Sequence, residues 1–319
     1  MRKAPEILDP TRRRSEVLFE QKRRWTEIRD FEPYDRSARE NLAEVLFEIY
    51  RDEQPVGTIQ RSQLILLLIA ESFPIPDLVS EYFKNLDYLL KGRPRRAVPG
   101  RIALGVGTGR CGSTSLTAML ATVDESCCTH ENPPLVYRPP HDEQLRFHMD
   151  RFNLLREYFS LVFDASHWWL WVLDRLLESF PDAKIIGLYR EREGCVRSFM
   201  RMKGTGWGSL NHWAQPGNGI WRAHFWDPTY PNYSLPANAD ERPDLVKVEL
   251  IGRYVQEYNE TLENIGQSLR ERVTLVRMEE MSQPQTQEKI FDFIDVRGRV
   301  TQSMLNVGTV DDGAWTYKF

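Results

Sequence analysis

Residues 101–120 read RIALGVGTGRCGSTSLTAML, and this stretch decides the fold. An apolar run ends in a segment with glycines at positions 107, 109 and 112, and a Ser/Thr cluster then opens an Ala/Leu/Met-rich segment. The pattern predicts a strand, a tight loop and the start of a helix. Glycines let successive backbone N–H groups converge, and a helix N-terminus adds partial positive charge. We therefore expect this loop to bind a phosphate or sulfate group.

The spacing of the loop matches the P-loop template G-x-x-x-x-G-K-[ST] from Gly107 to Thr114 except at the lysine position, which is Ser113. Arg110 lies inside the loop, and its guanidinium offers a bidentate fork to phosphate or sulfate oxygens. A P-loop lysine serves a β/γ-phosphate pair, so its replacement argues against an ordinary triphosphate and for a shorter anhydride. A plain strand-to-helix turn is the alternative, because glycine patterns alone are weak signals.

The composition of the chain excludes several functional classes. Of its 319 residues, 28% are charged and 41% hydrophobic, which is ordinary for a soluble globular protein. A formal net charge of −4 gives no electrostatic basis for binding nucleic acid. The longest apolar run, residues 64–70, is too short to span a bilayer, and the first ten residues lack the apolar core of a signal peptide. We expect a cytoplasmic protein without a membrane span.

The cysteines and histidines indicate no metal site. The four cysteines have no spacing typical of metal ligands, and Cys127 is adjacent to Cys128, which is unsuited to a disulfide framework. Reduced thiols are therefore expected, and the histidines show no ligand spacing either. Cys111 has two interpretations: a thiol whose pKa is lowered by a helix N-terminus and Arg110, or a small residue in a tight loop.

The rest of the chain divides at residues 91–100, KGRPRRAVPG, a Gly/Pro/Arg-rich linker. Residues 1–97 are charged with amphipathic periodicity and predict a helical N-terminal extension. Residues 98–319 alternate predicted strands and helices, which indicates an α/β domain with a central parallel sheet flanked by helices. Beyond the first strand and helix, strands are predicted at 126–129, 161–166, 183–190 and 273–278, and helices at 141–159, 168–180, 193–202, 245–270 and 285–294. Ligands of such sheets bind at the carboxyl ends of the strands.

The alternation stops between residues 203 and 243. This stretch is rich in Gly, Pro and Asn and contains four tryptophans, Trp207, Trp213, Trp221 and Trp226. Long connections without regular structure are often functional lids or binding loops. We interpret the stretch as an acceptor-side loop, with a self-packed surface loop as the alternative.

A second candidate anion site follows the strand predicted at 183–190. The strand ends in Arg190, and Ser198 follows eight positions later on the next predicted helix. A cation at a strand end and a hydroxyl on the following helix can converge on one phosphate. The sheet is therefore expected to bind two anionic groups at its carboxyl edge.

Together these two motifs resemble those of the sulfotransferases that use 3′-phosphoadenosine 5′-phosphosulfate (PAPS). The family's first motif is [KR]-x-G-[ST]-[ST] after a strand, and its second is a strand-terminal Arg followed eight positions later by Ser. The residues that match them here are Arg110, Gly112, Ser113, Thr114, Arg190 and Ser198. The resemblance spans residues 101–319. It implies a P-loop NTPase-like sulfotransferase fold, PAPS as the co-substrate and adenosine 3′,5′-bisphosphate (PAP) as its product.

The resemblance also implies a donor site in two parts. The 3′-phosphate would be held by Arg190 and Ser198. The 5′-phosphosulfate side of the site would be formed by Thr108, Gly109, Arg110, Cys111, Gly112, Ser113, Thr114 and Ser115. The last of these stands where the cytosolic branch of the family usually has a tryptophan that stacks on adenine.

Sulfuryl transfer requires in-line positioning, a cation over the transferring group and a base for the acceptor proton. Arg110 is the candidate cation. His167 matches the catalytic histidine of the cytosolic sulfotransferases, and Glu131 resembles the catalytic glutamate of the heparan-modifying relatives. We favour Glu131 as the base, because a single histidine often has a structural role. The implied acceptor is a hydroxyl or amine of a small molecule, glycan or lipid.

Two other functions fit parts of the sequence. The first is a P-loop kinase that uses ATP and magnesium, with Asp164 as the Walker B carboxylate, although Ser113 replaces the expected lysine. The second is a non-catalytic nucleotide-binding module whose N-terminal helices and tryptophan-rich stretch bind a protein partner. A kinase would require magnesium, and a binding module would bind nucleotide without turnover.

Overall fold

The computed structural model describes residues 76–132, 142–203, 214–215, 220–221 and 243–298, together with the single positions 21, 41, 44, 45 and 65. The chain divides into two compact units, Met1–Lys91 and Gly92–Phe319, with the boundary inside the predicted linker. Most of the predicted N-terminal extension and of the predicted acceptor-side loop lies outside the described residues. Their assignments therefore stay predictions.

In the first unit, the longest described element is helix α1, Pro76–Leu90. Its buried side chains recur every four residues, at Tyr82, Leu86 and Leu90. Residues at this spacing lie on one face of a helix, so α1 has a single apolar stripe.

The second unit contains a five-stranded parallel sheet. Its strands in chain order are β1 (Arg101–Gly107), β2 (Ser126–His130), β3 (Leu161–Ala165), β4 (Lys184–Tyr189) and β7 (Val273–Arg277). The two-residue strands β5 (Ala214–Gln215) and β6 (Ile220–Trp221) pair with each other in an antiparallel manner. The large sheet has the order β2-β3-β1-β4-β7, so β1 is central, and it is buried from Ile102 onward. Its continuous apolar run reflects burial on both faces.

Helices connect the strands. They are α2 (Ser113–Leu120), α3 (Asp142–Arg156), α4 (Leu173–Ser179), α5 (Arg192–Lys203), α6 (Pro243–Ser268) and α7 (Pro284–Phe293), with 3₁₀ helices at His167–Val172 and Met278–Glu280. The helix predicted at 168–180 was wrong in its first half, which is 3₁₀. There Trp168 and Trp169 are both buried, and Trp169 bonds to Asp164. Such tertiary contacts are not encoded in local periodicity.

Helices cover both faces of the sheet. On one face, side chains of β1, β3 and β4 share a core cluster with α2 and α7, including Ala103, Phe163, Ile186, Leu116 and Phe291. On the other face, a Cβ added at Gly187 of β4 would lie 3.6 Å from Leu262 of α6. The predicted α/β class with a helix-flanked parallel sheet is confirmed.

The parallel strands bring their carboxyl ends to one edge. The connection after β1 leads to β2 on one side of the sheet, and the connection after β4 leads to β7 on the other. This reversal between neighbouring strands creates the crevice in which α/β sheets bind ligands. The segments that meet there are the loop 108–112, Glu131, His167 and Arg190.

Gly107 at the end of β1 provides a test of this packing. An added Cβ would lie 2.5 Å from Cys111 Sγ and 2.7 Å from the Leu188 carbonyl oxygen. Because that oxygen belongs to the paired β4 backbone, Gly107→Ala should lower the free energy of unfolding by about 1–3 kcal/mol. Urea denaturation measures this loss. Adding Cys111→Ala should recover part of it, whereas an unchanged midpoint in the single variant would contradict the close packing.

Candidate functional site

The loop that follows β1 has the backbone of an anion-binding loop. Gly109, Arg110 and Gly112 have φ values of 79°, 56° and 94°, so the chain turns sharply through the left-handed region. Helix α2 then begins, and its first backbone hydrogen bond runs from Leu116 N to Gly112 O at 2.9 Å. The amides of residues 113–115 precede that bond and form the positive end of the helix.

Two helices brace the loop from behind. Thr108 is 1% exposed, and its hydroxyl donates to the Gly109 carbonyl at 2.8 Å. Tyr254 of α6 donates its hydroxyl to the Thr108 carbonyl at 2.9 Å. Cys195 of α5 places its sulfur 3.5 Å from the Thr108 hydroxyl and 3.6 Å from the Gly109 carbonyl. The loop is therefore fixed from its buried side, and its other side faces the crevice.

The structure brings the two predicted anion motifs together. Arg110 Nε donates to Ser198 Oγ at 3.1 Å, and Arg190 Nη1 donates to the Arg110 carbonyl at 3.2 Å. All three residues are half-buried. Glu279, in the 3₁₀ helix after β7, places a carboxylate oxygen 3.7 Å from Arg190 Nε. Two guanidinium groups and a hydroxyl thus occupy the crevice between β1 and β4.

The Ser/Thr cluster forms the first turn of α2. Ser113 and Ser115 are half-buried, and Thr114 is exposed. Ser113 Oγ hydrogen bonds to His130 Nε2 at 2.9 Å, which joins α2 to the end of β2. All eight predicted residues from Thr108 to Ser115 therefore lie on one continuous loop and helix turn at the carboxyl edge.

Asp164 of β3 holds the end of β2 in place. Its Oδ1 accepts the Thr129 hydroxyl at 2.5 Å and the Asn132 amide at 3.4 Å, and its Oδ2 accepts Trp169 Nε1 at 2.7 Å. Complete burial raises the pKa of Asp164, and the nearby Arg151 opposes that rise. Both oxygens are thus engaged by protein donors. This arrangement differs from a Walker B carboxylate directed at magnesium and removes support for the kinase alternative.

The two candidate bases lie next to each other. His167 Nδ1 is 3.7 Å from Glu131 Oε1, and their side chains are 14% and 41% exposed respectively. Glu131 has a φ of 50°, and its amide donates to the Ala165 carbonyl at 2.9 Å. The hydroxyl of Tyr258 donates to the His167 carbonyl at 2.8 Å. The sequence presented these residues as alternatives, whereas the fold presents them as a pair.

Sequence reasoning missed several residues of this site. It dismissed His130 as lacking ligand spacing, yet the imidazole contacts Ser113 in the first turn of α2. It did not bring Glu279 to Arg190, or the tyrosines Tyr254 and Tyr258 to the loop and to His167. For His130 a signal existed: it ends β2 one residue beyond the predicted strand, on the carboxyl edge. The tyrosines gave only the helical spacing of a buried stripe.

The cysteines are not activated. Burial raises the pKa of Cys111 to about 11 and that of Cys195 to about 12. The suggestion that the helix N-terminus lowers the pKa of Cys111 was therefore wrong, because desolvation outweighs the hydrogen bonds around its sulfur. Within the described parts of the chain, no three His, Cys, Asp or Glu side chains are grouped to hold a metal ion.

No helix among the described residues combines the length and the hydrophobicity needed to cross a bilayer. Helices α3 and α6 both carry charged residues along their length.

Comparison with known proteins gives a family match. The family model described as a sulfotransferase domain matches residues 103–280, a range that contains the loop 108–112, Glu131, His167, Arg190 and Ser198. Among solved structures, a sulfotransferase from Mycobacterium avium is similar at 11% sequence identity with a TM-score of 0.38, covering 79% of this chain and 83% of its own. A search of curated proteins finds no significant match.

The thiol pKa values predict low reactivity. At pH 7.5 a thiol of pKa about 11 is almost entirely protonated, so alkylation of Cys111 and Cys127 in the folded protein should be at least about 100-fold slower than in the unfolded chain. A time course with iodoacetamide and peptide mass spectrometry measures both rates, with the chain in urea as the control. Rapid labelling of Cys111 in the folded protein would show that its thiol is activated after all.

Proposed function

The chain belongs to the sulfotransferase domain family, and from this membership we propose that it transfers the sulfuryl group of PAPS to a hydroxyl or amine acceptor. The observation that carries the proposal is the convergence of Arg110, Ser198 and Arg190 at the start of α2. A donor with a 5′-phosphosulfate and a 3′-phosphate requires two anion subsites close together. Paired guanidinium groups beside a helix N-terminus fit that requirement.

In the proposed donor complex, Arg110, Ser113, Thr114 and the loop amides bind the 5′-phosphosulfate. Arg190 and Ser198 bind the 3′-phosphate. One donor molecule must reach both subsites, so they have to be adjacent. The 3.1 Å hydrogen bond from Arg110 Nε to Ser198 Oγ shows that these residues are adjacent. Ser115 on the same turn would face the adenine, since it takes the place of the family's adenine-stacking tryptophan.

The reaction we propose is an in-line displacement at sulfur. The acceptor oxygen or nitrogen forms a bond to sulfur while the bond from sulfur to the bridging phosphate oxygen breaks. The leaving phosphate becomes the 5′-phosphate of PAP, and Arg110 stabilises the charge that develops on the transferring group and on the bridging oxygen. The acceptor proton passes to the protein base.

We assign the role of the base that takes the acceptor proton to Glu131, with His167 as the residue that positions it. Glu131 is the more exposed of the two, and its left-handed backbone directly follows the carboxyl end of β2. The imidazole nitrogen 3.7 Å away is placed to orient the carboxylate. Strained backbone at a catalytic residue is consistent with this role.

The acceptor we propose is a small molecule, glycan or lipid headgroup with a hydroxyl or amine, and the setting is cytoplasmic. The tryptophan-rich stretch at 203–243 would cover the acceptor side. Aromatic rings bind the apolar faces of sugars, phenols and lipid headgroups alike, so the composition supports this range of acceptors.

Thermal unfolding with PAP, beside ATP with magnesium, tests the donor site. At about 100 times its Kd a ligand stabilises by about 2.7 kcal/mol, so PAP should raise the unfolding midpoint by about 5–10 °C. Arg110→Ala should remove most of this shift. A shift with ATP and magnesium but none with PAP would reject the proposal in favour of a kinase. A shift with PAP but no transfer from PAPS across a broad acceptor panel would support a non-catalytic binding module.

The pair of Glu131 and His167 gives a second prediction. Glu131→Gln should lower kcat for sulfuryl transfer from PAPS by about 10²-fold or more and leave the KM for PAPS nearly unchanged, because the proton acceptor is lost. His167→Asn should lower kcat as well, and the double variant should be no slower than the slower single variant, since the pair acts as a unit.

Glu125 offers a matched control for Glu131. It is a glutamate with a φ of 55°, and it pairs with Arg96 at the opposite end of β2. Glu125→Gln should leave kcat unchanged. If the losses of Glu131→Gln and His167→Asn multiplied instead, the two residues would act independently.

A further inference from the structure

The P-loop lysine position of this chain is occupied by Ser113, and a second residue stands behind it. His130 Nε2 lies 2.9 Å from Ser113 Oγ. Since a serine hydroxyl both donates and accepts, it can accept from an imidazole N–H and still donate its own hydrogen to a ligand oxygen. Through this pair, His130 of β2 can orient the hydroxyl that Ser113 presents at the start of α2.

The position of His130 is fixed on both sides. Thr129 before it and Asn132 after it are both bonded to the buried Asp164. His130 itself pairs with Ala165 in the parallel ladder and lies at the carboxyl edge. Alternation along β2 then directs Thr129 toward Asp164 and His130 to the opposite face, where α2 packs. The imidazole is thus held against the first turn of that helix.

The direction of the hydrogen bond follows from the loop's function. A group that is to bind an anion must present hydrogens, and a histidine that donates through Nε2 leaves the Ser113 hydroxyl hydrogen directed away from it. The 2.9 Å contact with the imidazole nitrogen is compatible with this direction, in which His130 donates to Ser113.

We propose that His130 is a positioning residue for donor binding that acts through Ser113. It orients the serine hydroxyl toward the 5′-phosphosulfate of the donor and so replaces, from the end of β2, the contact that a P-loop lysine makes. The inference rests on the proposed function, because it assumes that the loop holds the 5′ group of PAPS or PAP. It predicts that a change at His130 weakens the binding of ligands that carry the 5′ group and leaves the binding of ligands without it unchanged.

The test compares two ligands by titration calorimetry. PAP carries both phosphates, and adenosine 3′-monophosphate lacks the 5′ group. His130→Asn places its amide at the position of Nδ1 and falls short of Ser113, whereas His130→Gln places its amide near the position of Nε2. We expect His130→Asn to raise the Kd for PAP by about 10-fold. His130→Gln should stay within about 3-fold of the wild type, and both variants should bind adenosine 3′-monophosphate within about 2-fold of the wild type.

The variant Ser113→Ala completes a double-mutant cycle between His130 and Ser113. If His130 acts through the hydroxyl, the double variant Ser113→Ala with His130→Asn should bind PAP no more weakly than Ser113→Ala alone. Equal losses for both ligands would show a structural role and overturn the inference. Losses that multiply, or an unchanged Kd for PAP in His130→Asn, would overturn it too. A wild-type protein that binds neither ligand would instead overturn the proposed function, and the inference with it.

Discussion

The geometry of the candidate site depends on one buried carboxylate, that of Asp164. A carboxylate removed from water must have its lost hydration replaced by hydrogen bonds. Thr129, Asn132 and Trp169 supply these bonds, and they belong to the end of β2, the turn after it and the 3₁₀ helix after β3. Satisfying the carboxylate therefore fixes three chain segments relative to each other. His130 and Glu131 lie between Thr129 and Asn132. This anchoring leaves His130 in contact with Ser113 and Glu131 next to His167.

Left-handed backbone recurs at the site. Arg110 and Glu131 each have a positive φ, which costs a non-glycine residue about 1–2 kcal/mol. Neighbouring hydrogen bonds offset the cost, since the Arg110 carbonyl accepts from Arg190 and the Glu131 amide donates to Ala165. Glu125 and Asp295 also have positive φ far from the crevice, so the conformation alone does not mark function. What distinguishes Arg110 and Glu131 is that their side chains meet other charged or polar groups of the site.

The sequence predicted those features that depend on local pattern. The apolar run and glycines of residues 101–112 specify β1 and the sharply turned loop after it without reference to the rest of the chain, and the structure has both. The contact between Ser113 and His130, and the approach of Glu131 to His167, depend instead on the strand order β2-β3-β1. Spacing along the chain does not encode which strand neighbours which. For the same reason the 3₁₀ helix at His167–Val172, shaped by its tertiary contacts, was predicted as α-helix.

Helix α6 extends this dependence on tertiary contacts. Within six positions of one another, its side chains Tyr254, Tyr258 and Asn259 each donate to a backbone carbonyl beyond a different strand: that of Thr108, His167 or Arg190. The helix therefore lies across the carboxyl edge and contacts the backbone after three strands, at positions set by its 3.6-residue turn. A single residue inserted between Tyr254 and Tyr258 would rotate one tyrosine relative to the other by about 100° and break one of the two hydrogen bonds. The turn of one helix therefore sets the spacing between the backbone at Thr108, His167 and Arg190.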